Sequence, residues 1–152
     1  MKASNYIILL GISLCLTSFF SSCTPVDAFT AQLEGKWNVT SLRQGNAELI
    51  DNGVQSQTYE FIQFDANRGD VIIETMQADS SMTTEKGEYV FGQGQGALEE
   101  STRILFVSFD GEDPVKTTVS IVPVSVGEPD QLMASFTEEN VQTTVIASAV
   151  PE

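Results

Sequence analysis

The chain has 152 residues and is strongly acidic, with 21 Asp and Glu against 7 Lys and Arg, no His, and a net charge of −14. That balance excludes nucleic acid and anionic lipid surfaces as partners, because both are bound through basic patches. The lack of His removes the usual base of serine hydrolases, the Cys–His pair and the common zinc ligand sets, and it deprives haem of its commonest axial ligand.

In chain order, residues 1–22 have the layout of a secretory signal: Lys2 near the start, an apolar run from Tyr6 to Phe20, then Ser21-Ser22. The run is 15 residues long, shorter than the ~20 needed to span a bilayer as a helix. Phe20-Ser21-Ser22-Cys23 resembles the lipobox of bacterial lipoproteins, with Phe20 where Leu is usual. The resemblance implies that Cys23 becomes the mature N-terminus and carries acyl chains such as palmitate, enough to anchor the protein stably in a membrane. Thr24, where an inner-membrane retention signal would have Asp, implies the outer membrane. Loss of the signal removes Lys2 and Cys15, leaving six basic residues, a net charge of −15 and no cysteine pair for a disulfide. Stability must then come from a packed core.

Residues 23–32 read as a lipidated tether, in which Pro25 discourages helix and Val26-Asp27-Ala28-Phe29 has room for a single turn. From residue 33 to 149 the pattern is one domain of strands with period two, separated by turn residues. The predicted strands cover 36–43, 57–64, 70–77, 82–91, 102–109, 115–124, 131–137 and 141–148. Between the first two, Gly45-Asn46 and Asp51-Asn52-Gly53 mark a long loop with a short strand at 47–50. Asp65-Ala66-Asn67-Arg68-Gly69 marks a tight hairpin, in which Gly69 is the residue a turn needs, and Gly92-Gln93-Gly94-Gln95-Gly96 a flexible connection. Eight strands joined in sequence predict an all-β fold, an eight-stranded antiparallel up-and-down barrel in preference to a sandwich, because closure leaves no exposed edges.

The first strand begins Leu33-Glu34-Gly35-Lys36-Trp37-Asn38-Val39, with the chain's single Trp. Gly35-x-Trp37 resembles the signature on the first strand of lipocalins and of shorter lipocalin-like lipoproteins from Bacteroides-type bacteria. The resemblance implies that Trp37 seals the closed base of the barrel and that Gly35 lets the chain enter steeply. This chain has no helix pattern after its last strand and no Arg or Lys there to stack on the indole; Arg103 and Arg43 are the candidates for that role.

No set of residues spells out catalysis, and an enzyme is not expected. Glu99-Glu100 and Glu138-Glu139 are adjacent, so on a strand the members of each pair point to opposite faces, and they read as solvated turn acids. Asp110, Glu112 and Asp113 could offer oxygens to Ca²⁺, but so short a loop cannot fill a shell of six to eight ligands, and no metal or other cofactor is expected. Arg68-Gly69-Asp70 and Asn38-Val39-Thr40 match an adhesion tripeptide and a glycosylation triplet by accident of turn and strand composition.

An eight-stranded barrel either fills itself with side chains or holds one small ligand. With Trp37 and Val39 inward, parity places Val71, Ile73, Tyr89, Phe91, Val119, Ile121, Leu132, Phe136, Val141 and Val145 inside as well. The strands at 57–64 and 102–109 carry bulk on both faces, which leaves their register open. Candidate ligand-lining residues are Tyr59, Phe61, Tyr89, Phe91, Phe106 and Phe136, with Ala134, Ala147 and Gly87 leaving space. The expected function is binding of a small apolar or amphipathic molecule by a membrane-anchored barrel. The alternative is a packed barrel that meets an envelope protein through loops 44–56, 92–98 and 125–130.

Overall fold

A computed structural model describes residues 25–65, 67–92, 101–110 and 112–151. Residues 1–22, where a secretory signal is expected, Cys23, Glu99-Glu100 and most of the 92–98 loop lie outside the described residues. Among the described residues one helix, α1 (Pro25–Leu33), is followed by nine strands: β1 (Gly35–Gln44), β2 (Ala47–Glu48), β3 (Val54–Asp65), β4 (Arg68–Gln77), β5 (Met82–Phe91), β6 (Thr102–Phe109), β7 (Val115–Val122), β8 (Gln131–Glu138) and β9 (Val141–Ala149). From β3 to β9 each strand pairs antiparallel with the next, β1 pairs with both β2 and β3, and β1 also pairs with β9 from Trp37↔Ala149 to Gln44↔Thr143. The eight long strands thus close into an up-and-down barrel, with β2 as a short flap on β1.

The alternation of side chains holds along β1 as far as Val39, with Trp37 and Val39 buried between exposed Lys36, Asn38 and Thr40. A bulge between Val39 and Ser41 then shifts the inward parity, so Leu42 rather than Ser41 enters the core. Such a bulge bends the strand. Consequently β1 stays with β3 over only four residues, Gly35↔Phe61 to Asn38↔Thr58. Beyond that point Glu48 of β2 takes the place of the lost neighbour. Its carboxylate accepts from the Leu42 N–H at 2.8 Å, the Ser41 hydroxyl at 2.7 Å and the Ile50 N–H at 3.4 Å. These donors, Ser41 first and then Leu42, hold Glu48 below the usual carboxylate range.

At the opposite end from this flap the barrel is plugged. The segment expected to be a tether is a helix of more than two turns, and Phe29, Thr30 and Leu33 on α1 are buried against the barrel floor. Pro25 opens the helix at the one position where a missing N–H costs nothing, and Phe29 and Leu33, four residues apart, share its inner face. The packed unit therefore starts before Leu33. Trp37 donates its indole N–H to the Leu33 carbonyl at 3.0 Å, tying plug to wall. A chain of edge-to-face rings continues from Phe29 to Phe91 to Tyr89 to Phe61, with centroids 5.7–6.1 Å apart. Arg103 does not stack on Trp37; its guanidinium lies 5.3 Å from the Phe29 ring centre, while Arg43 faces Glu48 on the outer side.

Two glycines act through what lies on them. Gly69 is in β4 rather than in the turn, and a Cβ there would come 2.2 Å from the Ile62 carbonyl and 2.6 Å from the Tyr89 hydroxyl. Gly87, expected to leave empty space, is covered by the Phe109 ring, 2.8 Å from where its Cβ would be. A ring laid over a strand glycine restores the packing that the glycine lacks.

Candidate functional site

Above the ring cluster the interior is not filled. A cavity of about 340 Å³ runs up to the mouth, a volume typical of small-molecule sites. Its floor and walls are apolar: Val71, Ile73, Leu105, Val119, Leu132 and Val145 below, and Val107, Phe109, Ala134 and Phe136 higher up. Leu49, carried by the loop after β2, reaches in from one side. Short side chains at inward positions of β4, β7, β8 and β9, among them Val71, Thr117, Val119, Ala134, Thr143 and Val145, leave the space, and the rings of Tyr59, Phe61, Phe109 and Phe136 border it without filling it.

The six aromatic candidates separate by height and face. Tyr59, Phe61 and Phe136 line the cavity. Tyr89 and Phe91 point inward but belong to the sealed base, in contact with the Phe29 plug. Phe106 is on the outside, 41% exposed, between Val90 and Lys116 of the neighbouring strands. The register of β6 makes Leu105, Val107 and Phe109 the inward set, and the register of β3 turns Ile62 and Phe64 outward, Phe64 to 59% exposure. Of the small residues, Ala134 faces the cavity and Ala147 is buried outside its lining. Val141, expected inside, is 40% exposed beside the two-residue turn Glu139-Asn140, both of whose residues have positive φ.

Polar groups collect toward the mouth. Gln44, Gln57, Glu85, Glu112, Thr117, Glu138 and Thr143 complete the lining. Gln57 pairs with Thr75 across β3 and β4, and its amide N–H donates to the Thr75 hydroxyl at 2.8 Å. The other end of that amide, Oε1, is buried and accepts no hydrogen bond. Burial pushes the Tyr59 hydroxyl up to about 12, with a further contribution from the Glu85 charge, so it is protonated at neutral pH. The lining contains three carboxylates and, among its described residues, no Lys or Arg. Parity along β5 places Glu85 inside with Tyr89 and Phe91, a signal that the sequence carried; Glu112 and Glu138 were legible only as turn acids. Among the described residues no group of three or more His, Cys, Asp or Glu side chains is placed to hold a metal.

Among solved structures, a redesigned β-barrel aligns with a TM-score of 0.54 at 13% identity, over 80% of this chain and 95% of that one. The siderocalin Ex-FABP aligns at 0.52 and 10% identity, over 80% and 76%. Lobster apocrustacyanin A1 aligns at 0.47 and 13% identity, over 84% and 69%. The fold is a lipocalin-like barrel. At these identities the likeness is one of fold alone. No family pattern matches the chain, and no curated protein sequence does.

Proposed function

We propose that this protein binds one small apolar or amphipathic molecule inside the barrel, from the open end. The observation that carries this reading is the cavity of about 340 Å³, apolar in its depth and polar at its mouth, in a barrel whose other end is closed by α1 and Trp37. A barrel packed from end to end, the alternative as an interaction module, has no use for such a space. Tyr59, Phe61 and Phe136 are the aromatic contacts available to the ligand, with Phe109 added by the register of β6.

The binding domain is held, on this reading, by acyl chains on Cys23 at a bacterial outer membrane. The support is the sequence Phe20-Ser21-Ser22-Cys23 and the apolar run before it. Pro25, where α1 begins, comes two positions after Cys23, so an anchor there would hold the closed base toward the lipid and leave the mouth facing away.

Filling the cavity tests the binding reading. An Ala134→Trp variant is expected to bind an apolar fluorescent reporter at least ~10-fold more weakly than the parent, about 1.4 kcal/mol, while retaining a cooperative thermal transition. Equal binding by the two proteins overturns the assignment. Metabolic labelling with an alkyne-tagged fatty acid tests the anchor: the parent is labelled and Cys23→Ser is not.

A further inference from the structure

The chemistry of the mouth says which end group the ligand carries. Among the described residues, the three charged side chains that line the cavity, Glu85, Glu112 and Glu138, are all acidic. Five of the six basic residues after position 22 are engaged elsewhere. Lys36 pairs with Glu60, Arg43 with Glu48, Arg68 with Asp65 and Lys86 with Asp70. Arg103 lies on Phe29 at the base; Lys116, opposite the outward Phe106, shares an outer groove with Glu112 and Glu138 but does not line the cavity. Independently of the charges, Gln57 presents a buried acceptor with no donor, on a wall whose amide N–H is already committed to Thr75. A buried acceptor left unmade is costly, and a ligand that supplies a donor recovers that cost.

We infer that the ligand is an amphipathic amine: an apolar body in the Phe61–Phe136 chamber and a cationic N–H donor head at the Gln57 and Glu85 level. The inference rests on the cavity being a binding site and adds the choice of head group. A fatty acid in the same pose brings its carboxylate to three others with no cation in the lining to neutralise it. An ammonium is attracted by all three and can donate to Gln57 Oε1. Exposed ion pairs give only a few-fold each, but three arranged around one opening, beside a low-dielectric wall, act together on a single charge.

A matched series of equal chain length separates the two levels of the argument. Decanol, decylamine and decanoate are titrated by calorimetry into the purified full chain at low salt. The expected order is decylamine tightest, decanol between, and decanoate weakest, with about a tenfold or larger ratio of amine to acid. The ratio should shrink in salt, because the three carboxylates are solvent-exposed. In an E85Q/E112Q/E138Q variant, whose substitutions are all at exposed positions, the three affinities should converge to within about twofold. Decanoate binding as tightly as decylamine while decanol also binds overturns the head-group assignment and leaves the cavity reading standing. A preference that survives in the triple variant removes it from these carboxylates. If none of the three binds, the cavity reading fails and this one with it.

Discussion

The two halves of the barrel share one sheet, one alternation of side chains and nearly one strand length, yet they end in opposite ways. At the base, Phe29, Leu33, Trp37, Tyr89 and Phe91 form a closed cluster in which Phe91 meets both Phe29 and Tyr89 edge to face and Trp37 is tied to Leu33. At the mouth, β1, β3, β7 and β9 contribute Leu42, Gln57, Thr117 and Thr143 at inward positions and the centre stays open. The difference is one of both polarity and filling: the base is closed by interlocking rings, whereas at the open end polar side chains share the wall with Tyr59, Phe109 and Phe136 around an unfilled centre. A ring-filled end confers stability, because large buried groups contribute most per residue. The sparse end forgoes contacts and keeps a space instead.

If that division is right, substitutions should sort by end. The largest effect is expected from Trp37→Ala, which removes the floor and the hydrogen bond to Leu33. A loss of about 3–5 kcal/mol in urea unfolding is expected, enough to unfold a marginal domain of this size. Next is Gly69→Ala. Its Cβ would strike the Ile62 backbone and the Tyr89 hydroxyl, neither of which is a free-swinging end. About 1–3 kcal/mol is expected, with the affinity for an apolar reporter unchanged. Gly87→Ala, whose Cβ meets the Phe109 ring and the Ser108 carbonyl, should also destabilise, but by moving a cavity wall it should change reporter affinity too. Parallel behaviour of the two glycine variants would break the division.

Phe136→Ala probes the open end in the reverse sense. Phe136 is only partly buried and lies against the cavity, so its ring has lost contacts on one side already. Its removal should cost less than about 2 kcal/mol, well under the usual price of a buried ring, and should weaken reporter binding by at least ~10-fold. A stability loss as large as that of Trp37→Ala would show that the mouth is structural and the space incidental.

Much of this was legible before the fold was seen. The strands from Gly35 to Ala149 follow from period-two alternation and the turn residues between them, and the indole at the base follows from Gly35-x-Trp37. What was not legible has physical causes. The register of β3 and β6 was hidden because Ile62, Phe64 and Phe106 are as apolar as the residues that face in, and only pairing with β4, β5 and β7 turns them out. Helix α1 was missed because Pro25 reads equally as a helix breaker or as a first helical residue. The spacing of Phe29 and Leu33 was the cue that separated the two. The Val39/Ser41 bulge left no mark on the sequence, and neither did the role of Glu48 as a stand-in for a strand.

The smallest effect expected sharpens the comparison most, because it lies in the base and yet should cost nothing. Tyr89 is fully buried, but its hydroxyl has no hydrogen-bond partner. Removing an unpartnered buried hydroxyl relieves a desolvation penalty, so Tyr89→Phe should keep the ring contacts and be neutral or stabilising, by up to ~1–2 kcal/mol. The same burial, aided by the charges of Glu34, Asp65 and Asp70, pushes the Tyr89 hydroxyl up to about 12 from an ordinary value of 10.0. The native state then holds its proton where the unfolded chain releases it. This contribution to stability is fully present below pH 10 and is lost as pH rises through about 12. Tyr59 behaves in the same direction at the cavity wall. In urea unfolding followed from pH 8 to pH 12, the parent should lose stability above about pH 10, and Tyr89→Phe should lose visibly less. A variant less stable than the parent at neutral pH would mean that the hydroxyl is satisfied after all, and the base would no longer be a purely apolar plug.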